Sequence, residues 1–265
     1  MGAQFDVPVG VHACCWFDKP QQRRSTVRGF IAAGLRGGDR VAVFTDPDAG
    51  DVVDLRDPQT AKAAESGQLT INSAIDAYFP GGEFDGQQRA ADFASFAAQT
   101  AAAGYPALRV YADNGRMPTL LPSPEDWLDY ELRVATTIPR FPLIGLCGFR
   151  AEDASTLPVA LLDAVHETNL STGERPSGFH MYGNPDGSLS LTGDVERMAL
   201  ERLHRVLAAA RRVLDEVVLS VREVAFVDGA GAEELHRLTQ RHDVTVVDVP
   251  ARVQRVWRIL GLTAA

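Results

Sequence analysis

The chain has 265 residues, 45% hydrophobic and 23% charged, with a net charge of −9 and three cysteines. This is a globular composition with room for one large domain or two ordinary ones. It has no run approaching the ~18–20 apolar residues of a membrane span and no basic-then-apolar leader. Two of the three cysteines are adjacent, a poor disulfide framework, so a cytoplasmic location is expected. Residues 176–265 hold 11 arginines against 12 acidic residues, leaving 15 basic against 23 acidic in the first part, which argues against nucleic acid and anionic membrane as partners.

Residues 11–17, Val-His-Ala-Cys-Cys-Trp-Phe, read as an apolar strand followed by a polar loop over 18–24. The spacing of Val27, Phe30, Ile31 and Leu35 predicts a helix capped by Ser25 or Thr26 and closed by Gly34, Gly37 and Gly38. A strand over 40–45 ends in the turn Asp46-Pro47-Asp48. Next come a helix over 51–65 broken by Pro58, a strand over 68–71, and an alanine-rich helix over 87–103 with Phe93 and Phe96 inward. A strand over 107–111, a helix over 127–138, a strand over 141–149 and a helix over 157–166 follow. Such alternation predicts a mostly parallel sheet flanked by helices. Turn-rich residues 167–187 interrupt the pattern, so the expected division is a domain over 1–170, a linker over 171–187 and a smaller α/β domain over 188–265. The latter reads as strands over 188–194, 216–221 with an extension at 224–227, and 244–249, with helices over 196–212, 230–241 and from Pro250 onward.

His12 and Cys14, two apart on a strand, share a face; Cys15 points the other way. Cys147 sits on a later strand that can neighbour the first. The set admits three readings: a soft-metal site, though without a fourth ligand of telling spacing; buried thiols with a satisfied core histidine; or a pocket where His12 and Cys14 touch a small organic ligand. Nothing marks a catalytic nucleophile, since same-face strand neighbours rarely point at each other in line, and Glu131 and Asp113 are not marked as a pair. His166, His204, His236 and His242 read as exposed helix-surface residues. Asp228 reads as the N-cap of the helix that follows it, with small residues after it that admit close approach.

Two resemblances follow from ordered landmarks. His12-Ala13-Cys14-Cys15-Trp16-Phe17, Gly34-Leu35-Arg36-Gly37-Gly38-Asp39-Arg40, Gly67-Gln68-Leu69, Tyr78, Leu108-Arg109-Val110, Tyr130-Glu131 and Leu146-Cys147-Gly148-Phe149 resemble the MEDS domain, a sensory module of methylotroph and methanogen regulators, over about residues 9–170. The chain departs from that pattern at 113–118, where the expected tryptophan near Asp113 is missing and the nearest is Trp127. Leu191-Thr192-Gly193-Asp194, Val217-Val218-Leu219, Val224–Ala232 and the stretch 256–262 resemble the STAS domain of anti-sigma factor antagonists. Where that family carries Asp-Ser-Ser-Gly-Leu, this chain has Asp228-Gly229-Ala230-Gly231-Ala232, so the phosphorylatable serine is absent.

The resemblances imply a RecA-like N-terminal sheet and a STAS-like C-terminal domain. A phosphate-binding loop needs Gly-x4-Gly-Lys-(Ser/Thr); Asp18, Arg23, Arg24 and Ser25 keep only the last residue, which argues against ATP hydrolysis and leaves Arg23, Arg24 and Ser25 as a candidate site for a smaller anion. The expected function is that of a non-enzymatic signalling regulator without metal or cofactor. A small organic ligand would sit at His12, Cys14, Arg109, Glu131 and Cys147. An anti-sigma factor or kinase-like regulator would meet Asp228, Gly229, Ala230 and Gly231, and a homodimer is compatible with the chain. The competing expectation is a degenerate RecA-like nucleotide-binding protein or enzyme.

Overall fold

The apolar run near the N-terminus forms strand β1 (His12–Phe17), buried on both faces because it lies inside a six-stranded sheet. A computed structural model describes residue 5 and residues 7–45, 52–150, 159–171 and 178–262. β1 is joined in this sheet by β2 (Arg40–Thr45), β3 (Leu69–Ser73), β4 (Leu108–Asp113), β5 (Leu143–Arg150) and β6 (Thr168–Asn169), in the order β3-β2-β4-β5-β1-β6 with every pair parallel. Parallel neighbours need crossovers, and helices on both faces supply them. Val27, Phe30, Ile31 and Leu35 of α1 (Pro20–Gly37) and Ala63 of α2 (Pro58–Glu65) cover the face carrying Ala13, Cys15, Val41, Val43, Tyr111 and Leu146. Residues of α3 (Ala74–Tyr78), α4 (Gly86–Ala102) and α5 (Pro124–Thr137) cover the face carrying Cys14, Val110, Ala112 and Cys147. The same-face placement of His12 and Cys14, opposite Cys15, is as the strand spacing requires.

A second sheet has the order β10-β9-β8-β7. β7 (Phe179–Gly183) and β8 (Leu189–Val195) form an antiparallel hairpin; β9 (Val218–Val227) and β10 (Thr245–Val247) add in parallel. Helices α7 (Leu200–Val213), α8 (Gly229–Thr239) and α9 (Ala251–Ile259) complete this α/β unit. The two sheets share one hydrophobic core. Helix α5 packs on the first sheet and also against α7 and β7, and the ion pairs Arg205–Glu125 (2.9 Å) and Arg212–Asp129 (2.6 Å) lie across that contact. No helix among the described residues is long and apolar enough to cross a membrane.

Several boundaries differ from the sequence reading, each for a local reason. Helix α1 starts at Pro20, not Ser25, because Gln22 folds back and its Oε1 accepts the backbone N–H groups of Asp18 and Lys19 (3.1 and 3.0 Å). Pro58 opens a helix rather than breaking one, as proline does at a first turn. Strand β7 occupies part of the stretch expected as linker; its alternation is hidden because Phe179, His180, Met181 and Gly183 are all buried. Residues 172–177 of that stretch, the turn at 46–48 and the start of the helix expected over 157–166 lie outside the described residues. The last of these helices is α6 (Val159–Asp163), which ends before His166.

Candidate ligand-binding site

Strand β1 pairs with β5 so that His12 is opposite Gly145 and Cys14 opposite Cys147. Gly145 leaves room for these side chains: a Cβ there would lie 2.6 Å from Ile138 Cδ1, which would have to shift, and 3.4 Å from His12 Cδ2. The His12 ring leans across β5, and its Nε2 lies 3.3 Å from Cys147 Sγ. Helix α5 brings Glu131 over the same spot, with Oε2 at 3.5 Å from His12 Nε2 and 3.7 Å from Cys147 Sγ. The turn after α6 brings His166, whose Nε2 is 3.6 Å from the same carboxylate oxygen and whose ring centroid is 4.0 Å from that of His12. All four side chains are buried.

Outer contacts orient this quartet. Trp127, one helical turn before Glu131 on α5, donates from Nε1 to Glu131 Oε1 (2.8 Å), and Asn114 Nδ2 donates to the same oxygen (3.2 Å). Glu131 Oε2 is thereby turned toward Cys147 and the histidines. His166 Nδ1 lies 2.7 Å from the Leu162 carbonyl. A carbonyl only accepts, so Nδ1 carries the proton and Nε2 presents its lone pair to the quartet.

Burial sets the electrostatics. It pushes Glu131 up to about 8, outweighing the hydrogen bonds from Trp127, Cys147 and Asn114 that favour the carboxylate. It holds His12 well below the usual histidine range, helped by His166, and His166 down to about 4. The Cys147 thiol is raised by burial and by Glu131, and the Cys14 thiol by burial and then by Asp163. Burial thus favours the uncharged form of every member of the quartet and of the Cys14 thiol. Beside it is a cavity of about 20 Å³, lined by apolar residues such as Tyr78, Phe93, Val134 and Ile138, with His12 and Cys147 in its wall. That volume holds one water-sized molecule.

The structure brings together His12, Glu131 and Cys147 of the five residues expected around a ligand. Cys14 shares their face, but its Sγ lies 3.7 Å from Asp163 Oδ1. Arg109 is placed elsewhere, because its neighbours Leu108 and Val110 take the quartet's face of β4. It points into the opposite layer, where Nε donates to Asp39 Oδ2 (3.1 Å) and the guanidinium lies 4.8 Å over the Phe30 ring. Arg109→Ala should therefore act on stability. It leaves Asp39 buried without its cation and is expected to cost about 3 kcal/mol in chemical denaturation, without altering any ligand response of the quartet.

The three residues expected to bind an anion do not converge. Arg23 is buried and held by Asp113, Thr45 and Tyr111. Arg24 bonds Gln21, and Ser25 bonds the Gln22 carbonyl. Asp113 thus serves Arg23, and Trp127, the nearest tryptophan in sequence, bonds Glu131 instead. At the far sheet, Asp228 caps α8, accepting from Gly231 N (2.7 Å), and also accepts from Arg197 N (2.9 Å). Gly229 is exposed, whereas Gly231 is buried against Val195.

His166 is the residue that sequence reasoning missed. Helical numbering extended through it places it on a surface, but α6 stops at Asp163 and a turn carries it inward. The signal was the almost unbroken apolar run Val159-Ala160-Leu161-Leu162 and Ala164-Val165, which has no solvent side to offer. Residues 11–168 match the family model MEDS, the MEthanogen/methylotroph, DcmR Sensory domain. No curated protein and no solved structure matches the chain.

Proposed function

The chain belongs to the MEDS family of sensory domains, and from that membership we propose that it is a non-enzymatic signalling protein whose first unit senses a small uncharged molecule beside the His12–Glu131–Cys147–His166 quartet. The observation that carries the reading is the attachment of this quartet to the second sheet. His180 Nδ1 on β7 lies 3.1 and 2.8 Å from the carbonyls of Asp163 and His166, and Met181 N donates to Ala164 O (2.6 Å). On its other side the same segment is bonded to β1, through Glu167 N to His12 O (2.9 Å) and Leu170 N to Cys14 O (2.8 Å). A ligand that shifts His12 or His166 therefore acts on the segment that touches β7. It biases the second unit only if it prefers one arrangement of that contact.

The non-enzymatic reading is supported by the closed, uncharged character of the quartet: an enzyme nucleophile needs an activated, reachable thiolate. The nucleotide-binding alternative is disfavoured by the short connection from β1 to α1, where Gln22 Oε1 already occupies the backbone N–H groups a phosphate would use. We read the second unit as a STAS-like effector from the resemblance in its sequence at Leu191–Asp194, Val217–Leu219 and Val224–Ala232. Its partner, on this reading, is a kinase-fold anti-sigma factor meeting Phe226, Gly229 and Ala230.

Two measurements test this. Thermal melting with ATP–magnesium is expected to move the midpoint by no more than about 1 °C, whereas a rise that grows with ATP concentration supports the nucleotide-binding alternative. Gly229→Arg places a long side chain where a Cβ meets nothing within 4 Å. It is expected to abolish calorimetric binding to a kinase-fold anti-sigma factor while leaving the melting midpoint in place. Binding that survives the substitution, or no binding by the wild-type chain to any such factor, removes the effector half of the proposal.

A further inference from the structure

We propose that His12 Nε2, Glu131 Oε2, Cys147 Sγ and His166 Nε2 are the four ligands of a tetrahedral zinc-class metal ion. These four atoms come from β1, α5, β5 and the turn after α6, and all lie within 4.8 Å of one another. Four of their separations are 3.3, 3.5, 3.6 and 3.7 Å. Metal–ligand bonds of about 2.0–2.3 Å in a tetrahedron give ligand–ligand edges of about 3.3–3.6 Å. The two nitrogen–oxygen separations exceed the reach of a good hydrogen bond, about 3.2 Å. As hydrogen bonds they are poor; as tetrahedral edges they fit.

Further observations point to a ligand here. His166 Nε2 is buried without a hydrogen-bond partner and, with Nδ1 committed to the Leu162 carbonyl, presents a lone pair to the centre. Metal-binding histidines are commonly fixed in this way through their second nitrogen. Glu131 Oε1 is engaged by Trp127 and Asn114, which leaves Oε2 for the centre. The charge also balances. A divalent ion with one thiolate, one carboxylate and two neutral imidazoles is neutral overall, which a buried site requires. On binding, Cys147 gives up its thiol proton, any proton on Glu131 leaves with it, and both go to solvent. Two nitrogens, one sulfur and one oxygen suit zinc or cobalt rather than magnesium or calcium. Cys14, the nearest other thiol, is turned to Asp163 and is not a ligand.

The inference rests on the sensory reading for the metal's purpose, not for its binding, since His12 and Cys147 also line the apolar cavity and a ligand there would lie against the ion. The test uses the whole chain stripped with a chelator and titrated with cobalt(II). One equivalent is expected to bind, with the intense visible bands of tetrahedral cobalt and a near-ultraviolet thiolate-to-metal band. The double variant Cys14→Ala/Cys15→Ala, which retains Cys147 as the single thiol, should keep that band, and Cys147→Ser should lose it. No saturable binding, octahedral-type spectra, or loss of the band in the double variant overturns the site. Should Cys147→Ser not fold, the wild type and the double variant decide. Metal binding that leaves partner binding unaffected by chelation supports the site and counts only against its sensory purpose.

Discussion

Trp127→Ala is expected to lower stability by about 4 kcal/mol in chemical denaturation. Removing a fully buried tryptophan typically costs about 3–5 kcal/mol through lost contacts and the cavity left behind, and Trp127 is fully buried among Tyr78, Phe84 and Tyr130 at centroid distances of 5.0–5.6 Å. A second contribution comes from Glu131, which loses the shorter of the two hydrogen bonds on Oε1. Trp127→Phe separates the two, since it keeps an aromatic ring and removes only the N–H donor and part of the volume. It is expected to cost about 1–2 kcal/mol, the range for a buried polar group left short of a partner. Equal losses in the two variants would show that the donor, and not the ring, carries the effect.

The second large effect is expected at Gly231. A Cβ there would lie 1.8 Å from the Val195 carbonyl oxygen and 2.8 Å from its carbon. These are backbone atoms of β8, which cannot swing aside as a side chain can. Gly231→Ala must either push α8 off β8 or break the Asp228 cap, and a loss of about 3 kcal/mol or more is expected, in line with severe overpacking. Gly229→Ala, two residues earlier, meets nothing and is expected to be neutral or stabilising by about 0.4–1 kcal/mol, because it narrows the unfolded ensemble. Thermal melts of the pair check the contrast directly. A Gly231→Ala midpoint equal to wild type would mean that α8 does not approach β8 as described.

The fold class was legible because strand and helix periods alternate along the chain, and local periodicity is a property of sequence. Cys14 and Cys15 illustrate this: their opposite faces follow from strand geometry alone, and the structure buries them in two different layers. The site was legible only in part. Cys147 was singled out as a thiol on a strand able to neighbour β1 and Glu131 through the family landmarks, while their partner His166 looked like a surface residue because helix α6 was extended three residues too far. Arg109 was drawn in by the same landmarks, and only the register of β4 shows that it faces Asp39 in the other layer. Arg23, on what read as a loop, belongs to the first turn of α1 and is held by Asp113.

By itself the sequence determined the strand–helix alternation of the first unit, the placement of His12 and Cys14 on one strand face, the absence of the Gly-x4-Gly-Lys-(Ser/Thr) pattern and the absence of a serine after Asp228. These depend on residue type and on spacing over a few residues. Tertiary structure decided which groups from β1, α5, β5 and the turn after α6 meet. Those residues span positions 12 to 166, and no local rule links such distances along the chain. It exchanged Cys14 for His166 in the quartet, turned Arg109 away, and laid β7 against the segment that carries His166. The physical reason is that a buried polar group must find its partner across the core, and which partner it finds depends on helix ends and strand register.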